Sequence, residues 1–440
     1  MIALASLPFF LKRAARLLPL CLLPLAAHET PASAQDVFDA IGDHLFENVL
    51  YAQAHLKVTT PLLKQTGLAT GTGSNTFALQ GSDGAYRLWN LQAGSQQAVI
   101  KAAGATAFAP SASGTTFFLG KADGSVQLID PHSGKTFATL AGKDGAVTAL
   151  AGSPDDALLY VGNASGKVTA WQLETRQPIW QAAGGGAIAA LSVSPDGKFI
   201  ATADSSGALA AFDAAGKSTA TKGSVDAAAI ALQIGDDGNI SAIGSNGKFV
   251  RLETKSGSGD LGKLNAASIG MTGTSAVILD GKEMALVDMA TGKTRHEIAD
   301  LDTPAIGLIY DEAAAKVIVV DAGGALKIFD TETKELVLSI FISAQGWALV
   351  DRQGRFDGSS SGLRGIAWAV KKSNFPITSL TQAFSDPGML SALLAKDKRQ
   401  LRAIPGNPGD KYPMPPKAEI EPISTELSGD KPYQLMVIAS

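Results

Sequence analysis

Residues 123–130 read DGSVQLID: a turn pair, a short strand, a bulky apolar residue and a closing carboxylate. The same phrase returns as DGAYRLWN (83–90), SGKVTAWQ (165–172), SGALAAFD (206–213), NGKFVRLE (246–253), DGKEMALVD (280–288) and GGALKIFD (323–330). The turn glycines, Gly84, Gly124, Gly166, Gly207, Gly247, Gly281 and Gly324, are spaced by 40, 42, 41, 40, 34 and 43 residues. A period near 40 made of short strands is the signature of a β-propeller, whereas helical solenoids repeat helix pairs. The expected fold is all-β: a seven-bladed propeller with an N-terminal helix and a C-terminal connector and tail.

The chemistry of the phrase agrees. Asp-Gly, Asn-Gly, Ser-Gly and Gly-Gly pairs tolerate the positive φ of tight hairpin turns. The strands that follow show little polar alternation, so both faces need cover, and a blade finds that cover between its two neighbours. Each strand closes on a bulky residue and a polar one: Trp89-Asn90, Ile129-Asp130, Trp171-Gln172, Phe212-Asp213, Leu252-Glu253, Val287-Asp288 and Phe329-Asp330. The sixth copy has one extra residue. A slip of one would reverse every side chain, so Gly281-Lys282 is read as a two-residue turn with Lys282 outside the strand. SPDD (153–156), SPDG (194–197) and GDDG (235–238) are turns upstream of three copies. A more polar fourth strand follows the phrase, as in KTFATLA (135–141) and KELVLSIF (334–341).

Residues 63–343 resemble the WD-repeat family. The Gly-His pair that opens such repeats is missing: the corresponding stretch GKDGAVTAL (142–150) has no histidine. The family's hydrogen-bonded tetrad is therefore not implied, and no partner-binding residue is carried over.

Lys12, Arg13 and Arg16 precede the apolar run LLPLCLLPLAA (17–27), and Ala32-Ser33-Ala34 follows. This reads as a cleavable signal peptide over 1–34, too short in its apolar part to span a bilayer. The single cysteine, Cys21, leaves with it, so the mature chain has neither disulfide nor thiolate chemistry. Lys12, Arg13, Arg16 and Glu29 also leave, making the mature chain more acidic than the whole sequence at −4. Mild acidity argues against a nucleic-acid partner. No later stretch is long and apolar enough for a transmembrane segment, and the expected location is the periplasm or the exterior.

Two flanks lie outside the repeats. In 35–62, Val37, Ile41, Leu45, Val49 and Leu50 fall at helical spacing, with His44 and His55 on the same helix as surface residues rather than ligands. LKVTT (56–60) is expected as a strand helping to close the ring. The segment 344–402 resembles the connector that follows propellers in bacterial proteins bearing a caspase-like peptidase domain. The match is carried by Trp347, Gly354, Phe356 and Asp357, then Gly365-Ile366-Ala367-Trp368, then Pro387-Gly388-Met389-Leu390. The mature chain has no His-Cys dyad, so the resemblance implies no peptidase activity. Residues 403–440 read as a Pro/Gly linker and the first strands of an incomplete β-domain, with PPKAEIEPI (415–423) and YQLMVIAS (433–440).

Several patterns mimic catalytic ones. GSSSG (358–362) has the letters of a nucleophile elbow, but reads as a small-residue loop after a hairpin, with no histidine downstream of His296. TGKTRHEIAD (291–300) lacks the second histidine of a zinc helix. Asn163-Ala164-Ser165 and Asn239-Ile240-Ser241 read as turns rather than glycosylation acceptors. GTGSN (71–75) lacks the lysine of a phosphate cradle. Asp123, Asp130, Asp213 and Asp330 recur with the period, as structural residues do.

No catalytic, cofactor or metal residue is therefore assigned. The sequence reads as an exported, non-catalytic platform for protein partners. The alternatives are a regulatory propeller half of a caspase-like peptidase system and a propeller enzyme of the quinoprotein or lactonase kind. In the latter a tryptophan would stack on the quinone, whereas Trp89 and Trp171 sit at repeat-equivalent packing positions.

Overall fold

The computed structural model describes residues 55–440, apart from 73–75, 253–256, 263, 302–304, 322, 371–372, 395–400, 402, 404–417, 423–434 and 440. The expected signal peptide and most of the expected helix, including His44, lie outside these residues.

Between Gln65 and Gly358 the chain forms seven antiparallel sheets in succession, six of four strands and a last one of six. In every sheet, neighbours in sequence are neighbours in space. The sheets span 65–101, 105–140, 147–183, 188–224, 229–260, 266–300 and 305–358. The recurring phrase forms the third strand each time: Ala85–Asn90, Val126–Asp130, Lys167–Gln172, Ala208–Asp213, Lys248–Leu252, Glu283–Asp288 and Ala325–Asp330. In the sixth sheet Asp280 pairs with Glu283, leaving Gly281-Lys282 as the turn.

The first strand of each sheet lies beside the first strand of the next, and Ala305–Asp311 lies beside Gln65–Thr70. Apolar clusters fill the spaces between successive sheets. Tyr86 and Leu88 meet Phe117 and Ile129. Leu140 meets Leu159 and Trp171, and Ile240 meets Ala201 and Leu209. The cluster between the last sheet and the first joins Ile318, Ile328 and Ile340 to Phe77, Leu79 and Trp89. Each fully buried side chain of this kind is worth about 1.5–3 kcal/mol. Four-stranded sheets stacked through both faces fit a β-propeller.

Two regular irregularities shape the sheets. The first strand is bulged near its start in six of them, for example between Gln65 and Gly67 and between Ala105 and Ala107. In the first three the bulged residue is a threonine whose hydroxyl donates to the second strand: Thr66 to Gln80, Thr106 to Gly120 and Thr148 to Gly162, at 3.2–3.3 Å. The fourth strand is bulged against the third in six sheets. Bulges raise local twist, which suits wedge-shaped sheets.

The flanks differ from expectation in two places. The strand expected over 56–60 forms at His55–Val58, but it pairs with Ile366–Val370, which also pairs with Ser373–Pro376, in a separate three-stranded sheet. His55 thus opens a strand rather than ending a helix. It is Leu62-Leu63 that reaches the ring, bridging to Ser343 and donating from Leu63 N to Ile342 O. The hairpin Trp347–Asp351 and Phe356–Gly358 does not stand apart as a connector. It extends the seventh sheet as fifth and sixth strands. A short helix, α1 (Met389–Leu394), then packs Met389 and Leu390 into the cluster joining the last and first sheets. In the tail, Ala418–Pro422 pairs with Leu435–Ala439.

Candidate functional site

The recurring polar residues are explained by the turns they sit in. At the end of five of the seven third strands the closing Asn or Asp accepts from backbone N–H groups of the next turn. Asn90 takes Ala93; Asp130 takes His132; Asp213 takes Ala215 and Lys217; Asp288 takes Ala290 and Thr291; Asp330 takes Glu332 and Thr333, all at 2.8–3.0 Å. The turn ahead of the third strand works likewise, through Asp83, Asp123, Asn163, Asp204, Asn246 and Asp321. These are Asx-turns, in which a short carboxylate or amide replaces a backbone acceptor. The hydrogen bonds depress several of the carboxyls, Asp123 through Ser125 and Asp130 through the His132 N–H. Their low pKa reflects turn geometry and not a reacting centre.

The turns between first and second strands hold a second system, which the sequence did not reveal. Asp156 of the third sheet accepts from Ala112 N at 2.8 Å and Ser113 N at 3.2 Å, and from the Ser113 hydroxyl, all on the second sheet. Asp236 of the fifth sheet accepts from Asp196 N of the fourth at 2.8 Å. Glu312 of the seventh accepts from Thr272 N and Oγ1, Thr274 Oγ1 and Ser275 Oγ of the sixth, at 2.6–3.3 Å. Burial pushes the Glu312 carboxyl up, but these donors outweigh it and hold it below its ordinary value. One acid on each of the third, fifth and seventh sheets thus ties it to the sheet before.

The patterns that mimic catalysis are placed as follows. GSSSG spans the end of a three-residue strand and a one-turn helix, Ser360–Leu363. Ser359 caps that helix from Gly362 N and receives Trp347 N at 3.0 Å, while Ser361 donates to Gln345 O at 2.7 Å. The central Ser360 is exposed. His296 lies on the strand Thr294–Asp300 and its ring meets the Thr331 carbonyl. Asn163 and Asn239 are turn residues, held by Ser165 and Asp237. Gly71 and Thr72 lie in the first turn of the first sheet. Among the described residues no group of three or more His, Cys, Asp or Glu could hold a metal ion.

A quinone needs an aromatic platform on an inner wall. The five tryptophans are elsewhere. Trp89 and Trp171 are buried on third strands, Trp180 and Trp347 lie on outer strands, and Trp368 is buried in the separate sheet. No tryptophan stands on a first strand, so the tryptophan stacking expected for a quinone is not offered there.

Two recesses mark the outer surface. One of about 210 Å³ is lined by Asp144, Thr169, Trp171, Pro178 and Gln181, between the second and third sheets. Within it Lys167 and Gln181 both donate to Asp144, at 2.5 and 2.7 Å, and lower its pKa, Lys167 foremost. The other, of about 240 Å³, lies between the seventh sheet and α1, lined by Asp330, Val337, Asp351, Arg355 and Leu393. Exposed apolar residues cluster on fourth strands: Val99 at 45%, Phe137 at 51% and Ile179 at 49%.

Residues 45–223 match a family model described as outer membrane protein assembly factor BamB, of the PQQ_2 repeat type. The match ends within the last strand of the fourth sheet, and over it the chain is similar to that family's propeller repeats. No curated protein matches the chain. Among the described residues no helix is long and apolar enough to cross a membrane.

Proposed function

We propose that the chain is an exported seven-bladed β-propeller that holds protein partners and performs no chemistry of its own. One observation carries this reading: the acids that recur with the period are committed to turns and inter-sheet ties, leaving no convergent acid–base set among the described residues. A rigid disc with loops on two faces and open outer strands is suited to docking. The similarity to a family named for outer-membrane protein assembly adds support, and is consistent with periplasmic action after removal of 1–34. The tryptophan positions weigh against the quinoprotein alternative. The caspase-linked alternative rests on the resemblance of 344–402 alone.

The test is cross-linking in the periplasm, followed by purification with mass and absorbance readouts. A single stoichiometric protein partner is the expected result. A retained chromophore, or turnover of a small substrate by the purified protein, contradicts the reading.

A further inference from the structure

Outer strands are open hydrogen-bonding edges, and proteins guard them with charge, proline or cover. The seventh sheet is guarded by cover: Trp347–Asp351 adds to its fourth strand in antiparallel register, from Leu338 opposite Asp351 to Ile342 opposite Trp347. Its bulge residue Val337 packs with Leu393 of α1 in the same cluster. The outer strands of the first, second, fourth, fifth and sixth sheets carry charge: Lys101, Lys135, Lys222, Asp260, and Arg295 with Glu297. The outer strand of the third sheet, Gln177–Ala183, carries none. Pro178 blunts only its start. Ile179, at the same bulge position as Val337, is 49% exposed.

The surroundings are predominantly basic. Arg176 flanks the start of this strand, Lys143 lies in the loop beside its recess, and Lys135 starts the neighbouring outer strand. All three are exposed and make no ion pair among the described residues. Asp144 is neutralised by Lys167, and Glu174 is the exposed carboxylate of the preceding turn.

We propose that Ile179–Ala183 is a docking edge for an extended, acidic segment of a partner protein, which adds as a fifth antiparallel strand. Its apolar side chains cover Ile179, and its carboxylates meet Lys143 and Arg176. The seventh sheet shows within this chain that a fourth strand accepts such an addition. The inference rests on the platform reading and names the site and partner chemistry.

The test measures amide hydrogen exchange with a capped seven-residue peptide that alternates valine with aspartate or glutamate. A copy with lysine in place of the acids is the control. Expected is at least fivefold slower exchange at 179–183 with the acidic peptide only, lost in Ile179→Glu and kept in Lys222→Glu. Ile179→Glu should retain the wild-type urea midpoint, since the side chain is exposed. Equal slowing by the lysine peptide, slowing at other outer strands, or no slowing overturns the proposal. So does slowing that grows with protein concentration alone, which indicates a second copy, or slowing by anionic lipid vesicles. A cross-linked partner that binds Ile179→Glu as well as wild type overturns this edge and leaves the platform reading standing. Peptide protection with no cellular partner supports the edge and contradicts the platform.

Discussion

Trp347 meets Trp89 edge-on, with ring centroids 5.4 Å apart and planes at 68°. Trp89 belongs to the first sheet and Trp347 to the fifth strand of the last, so the contact spans the place where the ends of the repeat array meet. No strand is exchanged there, since the first sheet is built from 65–101 alone and the last from 305–358 alone. The junction rests on side-chain packing, with Trp89 and Phe77 of the first sheet and Met389 and Leu390 of α1 in one cluster with the last sheet, and on the backbone bond from Leu63 N to Ile342 O at 2.8 Å. Trp347→Ala should therefore cost about 3 kcal/mol, read as a lower urea midpoint, more than the same change at an exposed outer-strand residue such as Phe137. Equal losses would show that the junction is no weak point.

The turn glycines differ in what surrounds them. Gly247 has φ +84°, and a Cβ there would lie 1.6 Å from the Gly262 carbonyl oxygen. Gly281 has φ +59° and open space. Both substitutions incur the left-handed backbone strain of about 1–3 kcal/mol, but only Gly247→Ala must also displace backbone. Gly281→Ala should fold with a modest loss, and Gly247→Ala should lose clearly more, by denaturant titration of both.

Lys316 is buried and places its ammonium 2.8 Å from Asp330. Burial pushes the Asp330 carboxyl up, but Lys316 and the Thr333 and Glu332 N–H groups outweigh it and hold it at about 2. The folded value lies below the unfolded one near 3.9, so the stabilisation is present above pH 4 and is lost as pH falls through 2. It amounts to about 2 kcal/mol. Asp330→Asn should be less stable than wild type at pH 7, with the gap closing between pH 4 and pH 2. A constant gap would show that Asn costs stability by shape rather than charge.

Glu312 gathers four donors from the sixth sheet. Glu312→Ala leaves Ser275, which is buried, without its acceptor at 2.6 Å, and should cost about 2 kcal/mol. Glu312→Gln keeps one acceptor and should fall between the two. Hydrogen exchange in 270–275 should accelerate in both variants ahead of the rest of the molecule.

Much of this fold was legible because the period is written in turn chemistry. The turn residues before most third strands and the closing Asn or Asp after them are local devices whose turn N–H donors lie within four residues, so the phrase locates the strand without knowledge of the rest. The two-residue turn at Gly281-Lys282 followed from parity alone. What escaped was long-range. Asp156 and Glu312 reach donors about 40 residues away, and nothing local distinguishes Asp156 from the neighbouring Asp155, which stays within its own turn. The segment from Trp347 resembles a connector, and nothing in its local sequence announces that it pairs with Leu336–Ile342. His55 looked helical because Val49 and Leu50 precede it at helical spacing, while its strand partner lies more than 300 residues downstream. The candidate docking edge was invisible for the same reason: an outer strand without charge matters only when its neighbours are known to be guarded.

The central claim is that the array closes, with the first strand of the last sheet against that of the first. A Cβ placed on Gly307 would stand 3.6 Å from the Leu68 Cβ, within the range of a disulfide. The decisive measurement is intramolecular disulfide yield in Leu68→Cys/Gly307→Cys, in a Cys21→Ser background, under mild oxidation of the folded protein. Closure predicts near-complete formation of a monomeric cross-link that is absent when the chain is oxidised in urea. Free thiols, or cross-links only between molecules, would contradict it.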